Sequence, residues 1–161
     1  MRYNREAARA YAKIWAYRRN PAFFDFSDIG GDCTNFASQC LYAGSGVMNY
    51  TPVFGWYYNS ISDRAPAWTG VEEMYRFLTT NRGPGPQAVV APLSEAQIGD
   101  IIQLRFTGTG RFDHSPVVVE AGTTANTIYI AAHSYDCDCR PVSTYDYNAI
   151  RLLHIVNVGE A

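Results

Sequence analysis

Apolar side chains recur at helical spacing over residues 4–19, interleaved with Arg and Lys, until Asn20-Pro21 ends the pattern and with it a predicted first helix. A loop with Phe23, Phe24 and Phe26 follows. Gly30-Gly31 then leads into a second predicted helix, capped by Asp32. Its buried stripe is Cys33, Phe36, Ala37, Cys40 and Leu41, and it ends at Gly44 and Gly46. Residues 47–69 carry Trp56, Tyr57, Tyr58 and Trp68 among turn formers and read as an aromatic surface loop, ahead of a short helix over Val71–Thr80. Beyond Gly83-Pro84-Gly85-Pro86 the pattern becomes extended. Residues 101–106, 115–120, 127–132 and 150–156 are β-rich and separated by Gly, Asn and Asp turns. Gly108-Thr109-Gly110 lacks the strand–helix setting of a phosphate loop and reads as a hairpin turn. Helices first and a meandering sheet second predict an α+β fold, with the Cys33 helix packed against an antiparallel β-sheet.

Composition narrows the class. A chain of 161 residues, 47% apolar and 17% charged, is expected to form one domain over residues 1–161. A net charge of −2 with scattered Lys and Arg argues against nucleic acid as a partner. Twelve tyrosines and three tryptophans supply a core and, in part, the walls of a groove for sugars or peptides. No apolar run approaches the ~20 residues of a membrane span, and the N-terminus reads as a polar helix rather than a signal peptide. The expectation is a soluble protein, cytoplasmic as written, or an exported domain if the chain has been trimmed. No oligomeric state follows from the pattern.

Four cysteines, Cys33, Cys40, Cys137 and Cys139, form no obvious disulfide framework. Cys33 and Cys40 lie about 10 Å apart along one helix, too far to bridge. Cys33 occupies the first helical turn, where orphan N–H groups and the positive end of the macrodipole favour a thiolate by up to ~2 kcal/mol. That moves a free thiol from a pKa of roughly 8.5 to roughly 7, and further activation calls for an imidazolium. The chain has three histidines. His114 opens an apolar strand, and His133 closes the next, so hairpin pairing is expected to join their ends and let His133 orient His114. Ser134, Asp136 and Asn126 are other polar groups near that position. His154, inside the last strand, reads as structural. Cys137-Asp138-Cys139 with His133 lacks the second pair of a structural zinc site and reads as a surface turn. Trp56 and Trp68 are candidates for a substrate wall over the thiol, with core anchoring the competing role.

The segment GGDCTNFASQCL, together with Gly99-Asp100-Ile101-Ile102, Asp113-His114 and Ala132-His133, resembles the papain-like NlpC/P60 cysteine peptidases. The likeness is closest to their Putative amidase domain branch, with its DCTNF-SQ signature. It runs over about residues 3–156 and takes in Asn20-Pro21, Trp56-Tyr57-Tyr58 and Ala67-Trp68-Thr69. Ser115-Pro116 departs from the apolar residue and small residue that usually follow the family's histidine. The resemblance implies a papain-like fold, Cys33 as nucleophile, His114 as base and His133 as the polar third residue. It also implies cleavage of a peptide amide through a thioester, with a peptide or peptidoglycan fragment as substrate and no cofactor or metal. Two alternatives stay open: a non-catalytic binding module on the same fold, and an acyltransferase with an acceptor other than water.

Overall fold

Asn4 starts the first helix by accepting the Ala7 N–H on its side-chain oxygen at 3.0 Å, and α1 runs over Arg5–Trp15. The computed structural model describes residues 2–161, all but the first residue of the domain expected above. Helix α1 is shorter than the pattern predicts. Its final carbonyl, on Trp15, accepts the Arg18 N–H at 3.1 Å and faces His133 Nε2 at 2.9 Å, so tertiary partners replace the next helical turn. Helix α2, Cys33–Ser45, ends where predicted: Gly46 takes a left-handed φ of 68° and its N–H bonds Tyr42 O at 2.7 Å.

The region expected as a surface loop is more ordered than that. It holds a small hairpin of β1, Tyr58–Ser60, and β2, Asp63–Arg64, and a one-turn helix α3, Pro66–Thr69, before α4, Val71–Thr80. The strands that follow are β3 (Gly85–Ala91), β4 (Ile101–Arg105), β5 (Val117–Glu120), β6 (Tyr129–Ala132), β7 (Cys137–Pro141) and β8 (Ala149–Gly159). They form one six-stranded antiparallel sheet in the order β3-β8-β4-β5-β6-β7. The two edges, β3 and β7, were not predicted. The Gly-Pro start of β3 and the Cys-Asp-Cys-Arg-Pro sequence of β7 carry little strand propensity, and pairing with β8 and β6 overrides it. Residues 137–139, expected as a surface turn, therefore lie in an edge strand.

Both faces of this sheet are covered. Ile101, Val117, Val119, Ala131, Leu153 and Ile155 point toward the helices and pack with Ala8, Ala12, Phe36, Leu41, Trp68 and Met74. Ile102, Leu104, Val118, Ile130 and Leu152 point the other way, onto Ala96, Ile128 and Val142. Two buried faces explain why these strands read as near-continuous apolar runs rather than alternating ones. The architecture is α+β, as expected from the order of patterns, with α1, α2 and α4 on one face. Asp100, fully buried at the start of β4, fastens the layers: it pairs with Arg5 at 2.7 Å, faces His154 Nδ1 at 2.7 Å and accepts the Ile155 N–H at 3.0 Å. His154 thus serves the scaffold. Among the described residues no helix is long and apolar enough to cross a membrane.

Candidate active site

Gly30 and Gly31 both take positive φ, 81° and 98°, which turns the chain sharply into α2 and leaves Cys33 half-buried at its first position. The next residue, Asp32, makes no side-chain capping bond, contrary to expectation. Its buried carboxylate gathers the loop instead. Oδ1 accepts the Phe26 N–H at 2.8 Å and Asn35 Nδ2 at 2.9 Å, and Oδ2 lies 2.5 Å from His133 Nδ1. Asn35 extends this web, donating to Phe24 O at 2.9 Å and accepting the Trp68 indole N–H at 3.0 Å.

Cys33 sits beside the segment that carries His114, which lies ahead of β5 rather than opening it as expected and joins the sheet by a single bridge to Leu104. Its Sγ lies 4.0 Å from Asp113 O, and the Ser115 N–H is directed at the sulfur, so the thiol touches the backbone on either side of His114. That segment is fixed from several directions. Asp113 accepts the Phe106 N–H at 2.8 Å, His114 bridges to Leu104, and the Ser115 hydroxyl meets Thr34 Oγ1 and Gln103 Nε2, each at 3.2 Å. No hydrogen bond joins the thiol to the imidazole. The His114 ring, 4% exposed, instead directs Nε2 at Tyr145 Oη at 3.3 Å.

The two histidines do not meet as the sequence suggested. Val117 is paired with Ala131, and carrying that register two residues further sets Ser115, rather than His114, opposite His133. A one-residue offset reverses the face. His133 looks toward the helices, stacked on Phe36 with centroids 4.0 Å apart, whereas His114, opposite Leu104, meets Tyr145 and Phe106 from the other side. His133 also faces Trp15 O at 2.9 Å and Arg19 Nη1 at 3.2 Å, so its ring bonds all go to α1, the following loop and Asp32. Arg19 in turn grips Asp136 through both its terminal nitrogens, at 2.9 and 3.0 Å. His133 therefore anchors the turn before Cys33, and orienting His114 falls elsewhere.

Of the two roles open to the tryptophans, the substrate wall is not the one they take. Trp56 and Trp68 are both 0% exposed, with centroids 4.7 Å apart, and the Trp56 indole N–H bonds Ser38 Oγ at 3.0 Å. They brace α2 from inside the core and form no wall over the thiol. Cys137 and Cys139 diverge: the first lies 3.6 Å from Tyr145 Oη, and the second donates to Glu120 at 3.2 Å, while His133 is engaged with Asp32. Among the described residues no group of three or more His, Cys, Asp and Glu converges as a metal site would.

The electrostatics reverse one expectation about Cys33. Burial pushes its thiol up, the Asp32 carboxylate adds to this, and hydrogen bonds from Thr34 and Ser115 offset it only in part. Desolvation is the largest of these influences. His114 is held down, to about 4 from 6.5, by burial and then by the Arg140 guanidinium. Near neutral pH the Cys33 thiol and the His114 imidazole are thus both uncharged. Tyr145, Arg19 and Arg140 were missed from the sequence. No spacing announces them, since each reaches the site from a distant segment.

A family profile described as "Putative amidase domain" matches residues 2–156 of the chain. The uncharacterized protein YhbB of Bacillus subtilis (strain 168) is similar: 37% identical over 150 residues, covering 91% of this chain and 46% of that protein. The chain thus spans about half the length of the curated relative it matches. No solved structure matches it.

Proposed function

The chain belongs to the Putative amidase domain family, and from that membership we propose that it is a cysteine amidase or peptidase of the NlpC/P60-like, papain-like kind, acting as one domain over residues 1–161. Its substrate class is a peptide amide, with peptidoglycan peptides the first to test. The observation that carries this reading is the contact of the half-buried Cys33 thiol with the backbone on both sides of His114.

In this mechanism Cys33 Sγ attacks the amide carbonyl carbon while its proton passes to His114, forming the carbon–sulfur bond of a tetrahedral intermediate. The carbon–nitrogen bond then breaks as His114 gives that proton to the leaving amine. Water, deprotonated by His114, cleaves the thioester and regenerates the thiol. The Cys33 backbone N–H, first in α2 and without an intrahelical acceptor, is the candidate donor to the oxyanion, a contribution of about 2.7–4 kcal/mol for such a donor. Catalytic hydrogen bonds commonly close only in the substrate complex, which fits a resting thiol not yet bonded to His114. Asp32 and His133 act as positioning residues that hold the turn before the nucleophile.

The test is a screen of peptidoglycan peptides and small amides, followed by mass spectrometry of the acyl-enzyme. Turnover lost in both Cys33→Ala and His114→Ala, with thermal unfolding kept, is expected. Turnover that survives Cys33→Ala overturns the reading.

A further inference from the structure

The His114 ring is held from one side by a group the sequence did not point to. Nε2 lies 3.3 Å from Tyr145 Oη, and the same oxygen lies 3.6 Å from Cys137 Sγ. Tyr145 is itself pinned. The Arg140 guanidinium lies 3.6 Å over its ring and is fixed by bonds to Thr144 Oγ1 at 2.7 Å and Thr144 O at 3.1 Å. Phe106 closes the group, 6.0 Å from His114 and 6.1 Å from Tyr145 between centroids.

We propose that Tyr145 is the positioning residue for His114, its oxygen accepting the Nε2–H so that the lone pair is kept on Nδ1, the nitrogen that takes the thiol proton. This rests on the reading of Cys33 and His114 as the reacting pair. The phenol has one proton and two neighbours. If that proton goes to the Cys137 sulfur, the oxygen is free to accept from Nε2. If it goes to Nε2 instead, the ring proton moves to Nδ1 and nothing remains there to receive the thiol proton. In this proposal the half-buried, free Cys137 thiol receives the phenol proton and so sets the direction of the hydroxyl. A phenol also suits this site better than a carboxylate. It orients the ring without adding a negative charge, in keeping with an imidazole that burial and Arg140 hold neutral.

The experiment is nitrogen NMR of the full chain with labelled histidine at neutral pH, His114 being assigned with His114→Gln, alongside steady-state kinetics. Expected are a bare Nδ1 and a protonated Nε2 in the native protein. In Tyr145→Phe the Nδ1–H tautomer should appear and kcat fall about tenfold with little change in KM, as for a mispositioned base. Cys137→Ala should move the same signals in the same direction by less. A native His114 protonated on Nδ1, or a Tyr145→Phe spectrum identical to the native one, overturns the proposal. If Tyr145→Phe does not fold, the native tautomer alone decides. An amidase whose tautomer ignores Tyr145 refutes this inference and spares the function. A protein lacking amide turnover refutes the function, and the tautomer is still read.

Discussion

His133 Nδ1 lies 2.5 Å from Asp32 Oδ2, with both side chains 1% exposed. This buried pair joins the end of β6 to the turn in front of Cys33. Because neither group has water to fall back on, Asp32→Ala or His133→Ala should each cost about 3–5 kcal/mol of stability. Urea denaturation measures it, and the double variant should cost clearly less than the two single losses added together. A loss below about 1 kcal/mol in either single variant contradicts the anchoring role.

His114 gives stability a pH dependence of known sign. Its folded pKa of about 4 lies below the ordinary 6.5, so protons favour the unfolded chain. The contribution is complete above about pH 6.5 and is lost as pH falls toward about 4, by about 3 kcal/mol in all. Chemical denaturation at stepped pH, native against His114→Gln, should show this segment of the curve flattened in the variant. Parallel curves are the contrary result.

Under the proposed mechanism, with His114 as the base, the same depressed value moves the acid limb of catalysis. As free base, His114 stays competent down to about pH 4, and kcat/KM should fall only as pH drops through that value. An acid limb centred near 6.5 would mean that the base is a more exposed imidazole.

Thiol labelling follows burial rather than helix position. Alkylation of Cys33 should stay slow near neutrality and rise with pH beyond the ordinary thiol range, since burial holds its pKa up. Cys40, 0% exposed and pushed up further, should remain unlabelled in the folded protein. Mass spectrometry of a pH series distinguishes this from an activated thiolate, which would label rapidly at pH 7.

Trp68→Phe tests the indole as a brace. The change leaves Asn35 Oδ1 without its donor in the buried first turn of α2 and should cost about 1–3 kcal/mol. If Trp68 met substrate instead, the variant would keep its unfolding midpoint and raise KM.

Much of the scaffold was legible along the chain. The end of α2 at Gly46 and the span of α4 follow from local rules, and so does the order of helices before strands. Strands β3 and β7 were not legible, because their order comes from partners already in the sheet. Trp56 and Trp68 looked like surface aromatics because turn formers surround them, yet α3 and the hairpin fold that segment inward until both indoles are fully enclosed.

By itself the sequence determined that a cysteine opens a helix behind a glycine turn and that a histidine shortly precedes a strand, because glycine turns and apolar periodicity are short-range effects. Only the tertiary structure decided what those residues meet. The register of β5 on β6 sends His133 to Asp32 and leaves His114 to Tyr145, since one residue of offset reverses the face of a strand. Likewise the Cys33 thiol is raised rather than lowered. The dipole belongs to one helix, whereas desolvation sums over every group packed around the sulfur.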